Sequence, residues 1–195
     1  GGTLWVEKRA LGEAGAEHIR SMERKYEKLR AANPGVTVLA PQYPQQSDRK
    51  NGEEASVRFA FVEGKTLAEA LAEKIRQESA RTEGRPETAG KTAAEILEAA
   101  LTRVLGGAEK NKEPFRVTEG FQEVFGEIPP LKDDSYAVSN VDGLFENIME
   151  TEDGLVCLDY EWVFDFPIPA GFIKYRLLSY FYRAYRGILE GAGYS

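Results

Sequence analysis

Residues 138–162, VSNVDGLFENIMETEDGLVCLDYEW, hold the side chains best suited to chemistry. Asp142 is followed five positions later by Asn147, and twelve residues after that by Asp159, which ends the apolar run 155–158. An acid, an amide four intervening residues on, and a second acid beyond a short hairpin is the spacing that magnesium-dependent phosphoryl transfer uses. One carboxylate, Asp142, would orient the attacking hydroxyl. The amide oxygen of Asn147 and the carboxylate of Asp159 would hold Mg²⁺ against the phosphates of ATP, because a hard cation takes oxygen ligands. The same stretch also reads as an ordinary β-hairpin with surface acids around the turn Thr151-Glu152-Asp153-Gly154, and D-x-x-x-x-N alone is common by chance. Other chemistries have less to work with. His18 is the only histidine and falls near the apolar stripe of a helix, which suits a structural role. One His and one Cys make no zinc cluster and no Cys/His or Ser/His/Asp set. The carboxylates would also serve a glycosidase pair, but any acidic chain offers such pairs.

The elements around this stretch follow from periodicity and punctuation. Residues 3–8 read as a strand ending in Lys8. A helix over 13–32 carries Ile19, Met22, Tyr26 and Leu29 on one stripe, and Asn33-Pro34-Gly35 stops it. Strands are expected at 36–39 and 57–62, separated by a polar loop over 40–55. Thr66 is placed to cap a helix over 67–77, with Glu69 as the acid of a capping box. Residues 78–92 are polar. A helix over 91–105 buries Ile96, Leu97, Ala100, Leu101, Val104 and Leu105 and is expected to end at Gly106-Gly107, ahead of a charged linker at 108–113. Phe115, Phe121, Val124 and Phe125 are expected in the core. A last helix over 171–189 is rich in aromatic residues, which fit core packing better than nucleic-acid stacking on an acidic chain.

Composition sets the outer bounds. The chain has 195 residues, 42% hydrophobic and 29% charged, with a formal net charge of −7. That is one substantial domain or two small lobes, long enough to bury a core. The negative balance disfavours nucleic acid as a partner. No run approaches the roughly 18–20 apolar residues of a membrane span, and no signal peptide is evident. The single cysteine, Cys157, lies in an expected buried strand, excludes an internal disulfide and suits a cytoplasmic location. The opening Gly-Gly, without Met, suggests a piece of a longer protein.

Strand with Lys8, helix with glutamates, two strands, a short connector and a helix is the order of a kinase small lobe from its third strand to its hinge. Val6-x-Lys8 resembles the strand lysine that contacts ATP phosphates, and Phe61-Val62-Glu63-Gly64-Lys65-Thr66-Leu67 resembles the hinge of small-molecule kinases. With Asn140-Val141-Asp142 through Asp159-Tyr160-Glu161-Trp162 and the following Phe-Pro-Ile-Pro run, the chain resembles kinase-like phosphotransferases that act on small molecules and sugars, such as aminoglycoside, choline and lipopolysaccharide kinases. More narrowly it resembles kinase-like domains of bacterial surface-polysaccharide proteins, often fused to glycosyltransferase or methyltransferase domains. The resemblance covers residues 3–185, weakly through 78–130.

It implies an α+β, protein-kinase-like two-lobe fold: a small antiparallel β lobe over 1–62 that lacks the first two strands, and a mainly helical lobe over 63–195 carrying the hairpin at 138–162. It implies ATP and Mg²⁺ as cofactors, with Asp142 as catalytic base and Asn147 and Asp159 as metal ligands. Glu161 would add a second metal contact. Lys8 would position phosphate together with Glu23, which lies closer to the apolar stripe than Glu27. The backbone of Phe61, Val62 and Glu63 would face adenine. No room exists after Asp159 for the long segment that holds a peptide, so a sugar or glycan hydroxyl is the expected acceptor. Three departures stand against the family pattern. Asn140-Val141 replaces His-Arg, Asp-Tyr-Glu replaces Asp-Phe-Gly, and the Gly-rich loop over the phosphates is missing from these 195 residues. Two functions therefore remain: a phosphotransferase, or a catalytically silent kinase-like module that binds a nucleotide, a glycan or a neighbouring domain of a larger polysaccharide enzyme.

Overall fold

The computed structural model describes residues 4–44, 55–81 and 86–194. The expected strand start at Thr3, most of the loop over 40–55, and residues 82–85 of the polar stretch lie outside the described residues. The first strand, β1 (Trp5–Arg9), is followed by helix α1 (Glu13–Ala32), a short strand β2 (Thr37–Val38) and strand β3 (Ser56–Ala60). β1 and β3 are antiparallel, with Lys8 opposite Val57. Then come β4 (Lys65–Thr66), α2 (Leu67–Arg81), α3 (Pro86–Glu109), β5 (Glu113–Pro114) and α4 (Glu119–Phe125). The remainder is β6 (Asp134–Tyr136), β7 (Ser139–Asn140), a 3-10 turn (Phe145–Asn147), β8 (Ile148–Thr151), β9 (Gly154–Cys157), β10 (Val163–Phe164), β11 (Ile168–Pro169) and α5 (Ala170–Gly191). The fold is α+β.

Local chemistry accounts for several boundaries. The box at Thr66 forms as its sequence suggests. Thr66 N–H donates to Glu69 Oε2 at 2.9 Å, and Glu69 N–H donates to Thr66 Oγ1 at 3.1 Å. α4 is likewise capped by Thr118, whose hydroxyl accepts from Phe121 N–H at 3.3 Å. The expected end of α3 at Gly106-Gly107 is corrected: the helix runs on to Glu109. Gly107 serves a close approach instead, because a Cβ there would stand 2.5 Å from Asn33 Oδ1. Gly90 does the same at the other end of α3, where a Cβ would meet the Gly193 carbonyl oxygen at 2.7 Å.

β9 is the centre of a four-stranded sheet in the order β2-β9-β8-β4. The β8–β9 hairpin pairs antiparallel, and β2 lies parallel to β9 with Val38 opposite Cys157. That parallel pair joins the N-terminal third of the chain to the hairpin expected to carry chemistry. One hydrophobic cluster runs from Ala10 through Val57, Ile75, Leu97, Phe145 and Phe181 to Ala192. The face of α1 that meets this core consists of Ala16, Ile19, Met22, Lys25 and Leu29. Tyr26, expected on that stripe, is half-buried at its edge, and Lys25 takes the buried place.

Candidate functional site

Asn140 organises the site. It ends β7, where it pairs with Val163 of β10, so the segment between β9 and β10 is held beside the loop that begins at Val141. Its Nδ2 donates to the Asp159 carbonyl at 2.7 Å, and its Oδ1 accepts from Asp142 N–H at 3.2 Å. One amide side chain thus fixes the backbone of both acids. A single carboxylate or hydroxyl in its place would lose either the donor or the geometry of the pair. Val141 N–H adds a bond to the Trp162 carbonyl at 3.1 Å, and Leu158 N–H adds one to the Asn147 carbonyl at 2.9 Å. These bonds hold the backbone of Asp142, Asn147 and Asp159 in one neighbourhood.

The turn after β9 points its side chains by alternation. Tyr160 is fully buried, and its hydroxyl donates to the Leu39 carbonyl at 2.7 Å. Its neighbours on either side, Asp159 and Glu161, therefore leave the backbone on the opposite side, facing β1. Lys8 meets them there. Its Nζ stands 3.1 Å from Asp159 Oδ1 and 2.6 Å from Glu161 Oε1. Burial alone would favour the neutral amine, but hydrogen bonds and charge from Glu161 and Asp159 prevail and hold the Lys8 pKa above its ordinary value.

The expected Lys8–Glu23 pair is not what forms. Glu23 is exposed on α1, with its backbone N–H bonded to the Tyr43 hydroxyl at 3.1 Å. The physical reason is the helix phase: Lys25, not Glu23, lies on the buried face of α1. Lys25 Nζ donates to the Glu161 carbonyl at 2.5 Å and stands 3.4 Å from His18 Nδ1. Burial pushes its pKa below the ordinary lysine value. Sequence reasoning missed this residue, because a lysine one position from Tyr26 reads as solvated; an exposed-side assignment for both Glu23 and Glu27 would have pointed to it. His18 packs edge-on against Trp162 at 5.2 Å, in keeping with a structural role.

Asp142 has a second unanticipated partner. Arg176 of α5 donates through Nε to the Val141 carbonyl at 2.8 Å and through Nη2 to Asp142 Oδ1 at 3.3 Å. Burial raises the Asp142 pKa; Arg176 works against that rise, and the charges of Asp159 and Glu161 add to it. Asn147 donates its Nδ2 to the Asp142 carbonyl at 2.8 Å, which leaves its Oδ1 without a partner among the described residues. Phe61, Val62 and Glu63 follow β3. Phe61 is 54% exposed, and its N–H donates to the Leu4 carbonyl at 2.9 Å. Gly64, with φ of 145°, then lets the chain pass within reach of the Glu150 carbonyl.

The donor set suits Mg²⁺ in the sparse manner of that ion, which is held by one or two carboxylates together with ligand oxygens. Asp159 and Glu161 already converge on one positive centre, the Lys8 ammonium, while Asn147 spends its Nδ2 on the Asp142 carbonyl. Among the described residues no group of three or more His, Cys, Asp and Glu is placed to hold a metal by itself. No helix of the described residues is long and apolar enough to cross a membrane. No protein-family model matches the chain, and no curated protein matches it.

Proposed function

We propose that this chain is a kinase-like, two-lobe phosphotransferase module that uses ATP with Mg²⁺ to phosphorylate a sugar or glycan hydroxyl, in the setting of bacterial surface-polysaccharide synthesis and as part of a larger protein. The observation that carries this reading is the convergence of Lys8, from β1, on Asp159 and Glu161, which are 151 and 153 residues away in the chain. A lysine and two carboxylates in one place are what a phosphate–metal complex needs: the ammonium for phosphate oxygens, the carboxylates for the cation. Binding of the nucleotide would exchange the Lys8 ion pairs for phosphate contacts. Mg²⁺ would supply charge neutralisation on the phosphates, held by Asn147, Asp159 and Glu161. Asp142 would accept the acceptor's hydroxyl hydrogen bond. Arg176, bonded to one of its oxygens, leaves the other for that task, and a raised pKa brings the carboxylate closer to the range in which it takes a proton. The backbone of 61–63 would lie along the adenine.

A second reading is favoured by one observation. Lys25 donates to the very turn that carries Asp159 and Glu161, and with Lys8 it already balances both acids. A self-compensated site of this kind suits a silent module that binds a glycan or a neighbouring domain. ATP turnover with a panel of sugar and glycan acceptors separates the two readings, and calorimetric titration of ATP with Mg²⁺ into the wild type and Asp159→Asn tests the nucleotide site itself. The enzyme reading expects binding to weaken at least about tenfold in the variant, the loss of one charge-assisted contact. Equal affinity in the two proteins, or no heat in either, overturns it in favour of the silent module.

A further inference from the structure

Behind the loop that carries Asp142 lies a largely buried but partly open pocket of about 50 Å³. Its walls are mainly aliphatic side chains of α1, β2, α3 and α5, and its edge is polar: Asn33, Ser139, Asn140 and Cys157. Two of these residues carry buried polar atoms that hydrogen-bond to nothing among the described residues, Ser139 Oγ and Asn33 Oδ1. Ser139 is only 4% exposed. Asn33 spends its Nδ2 on the Val104 carbonyl at 2.6 Å, which fixes the amide and turns its oxygen away from that carbonyl. A hydroxyl and an amide oxygen desolvated without partners are unfavourable, and a native fold retains such groups where something satisfies them. A buried water needs roughly 10–15 Å³ of such space, so about three fit, whereas a dry hydrocarbon site for a benzene-sized ligand needs about 150 Å³.

We propose that this pocket is a hydrated site, in which a short run of ordered water hydrogen-bonds Ser139 Oγ and Asn33 Oδ1 and ties the loop of Asn140 to the end of α1. The position gives the water a structural task. Ser139 is the residue before Asn140, which fixes the backbone of Asp142 and Asp159, and Asn33 is the residue that closes α1 and anchors it to α3. The ligand class is small hydroxylic molecules, water above all, and the inference stands whether or not the site performs phosphoryl transfer.

A high-resolution crystal structure of the whole chain tests it directly. Compact density within about 3.2 Å of Ser139 Oγ and of Asn33 Oδ1 is expected. A dry cavity, or elongated density of a hydrocarbon, overturns the proposal. Crystals held under xenon give a second reading on the wild type: a hydrated cavity excludes the gas, while xenon bound between Val38, Val104 and Leu177 overturns the proposal. Ser139→Ala gives a third. Loss of a satisfied hydroxyl should lower Tm by about 2–4 °C; an unchanged or higher Tm means that the hydroxyl was unsatisfied in a dry cavity, and the proposal fails.

Discussion

Asp142 carries a charge that its surroundings disfavour. Its folded-state pKa lies above the ordinary aspartate value because burial outweighs the help of Arg176. The sign of the consequence follows from linkage. Below the ordinary value both folded and unfolded chains hold the proton, and nothing is lost. As pH rises through the window between the ordinary value and the raised one, the unfolded chain ionises first, and folding becomes less favourable. Asp142→Asn keeps the hydrogen bond from Arg176 and removes the charge. At pH 7 the variant should therefore melt higher than the wild type, and the difference should shrink as pH falls toward 4; thermal melts across that range decide it. A variant that melts lower at pH 7 would mean that Arg176 fully compensates the carboxylate. Lys8 has the opposite dependence. Its raised pKa makes its two ion pairs stabilising throughout the neutral range, and that contribution fades only as pH rises through the folded value above 10.5. Replacing it with Met should cost about 1–2 kcal/mol in urea denaturation, less than a fully buried pair because all three side chains are partly exposed. A loss indistinguishable from zero would show the pairs to be idle without ligand.

At the level of elements, α3 holds two adjacent glycines with opposite tasks. A Cβ on Gly106 meets nothing within 4 Å, whereas one on Gly107 collides with Asn33 Oδ1. Gly106→Ala should stabilise by about 0.5–1 kcal/mol through helix propensity, and Gly107→Ala should destabilise by about 1–3 kcal/mol through crowding. Equal effects in chemical denaturation would refute the assignment of Gly107 to close packing. This pair also marks where the sequence stopped being readable. Gly-Gly after an apolar stripe looks like a helix end, and only the partner helix reveals it as a contact surface. The capping box at Thr66 was legible because both members lie within four residues, and the β8–β9 hairpin was legible from its apolar run and turn. The backbone of Asp142, Asn147 and Asp159 lies close for a local reason, since the hairpin between Asn147 and Asp159 brings its two ends together. Lys25 and Arg176 were not legible, because each reaches the site from another element, and which side of a helix faces inward shifts by 100° per residue. A one-residue error in phase made Glu23 look like the partner of Lys8. Distant partners of this kind leave no local signature.

For the molecule as a whole, the parallel pairing of β2 with β9 and the single core from Ala10 to Ala192 make the N-terminal third inseparable from the remainder. Trp5 sits on β1 and Trp162 follows the turn of Asp159. Single-tryptophan variants, each read by fluorescence, should unfold on one curve that coincides with far-UV circular dichroism. Two separated midpoints would show that the regions melt independently. The pairing of Lys8 with Asp159 has a further consequence in time rather than space. The lysine leaves the ribosome first, and its carboxylate partners are made about 150 residues later. At the usual rate of about 5–20 residues per second, β1 waits several seconds or more with its charge unanswered and one edge unpaired. During that interval Trp5 and Val6 of β1 stand open to a chaperone or to a neighbouring chain. The Lys8–Asp159 bond therefore closes only after residues 159–161 have been made, late in the synthesis of these 195 residues.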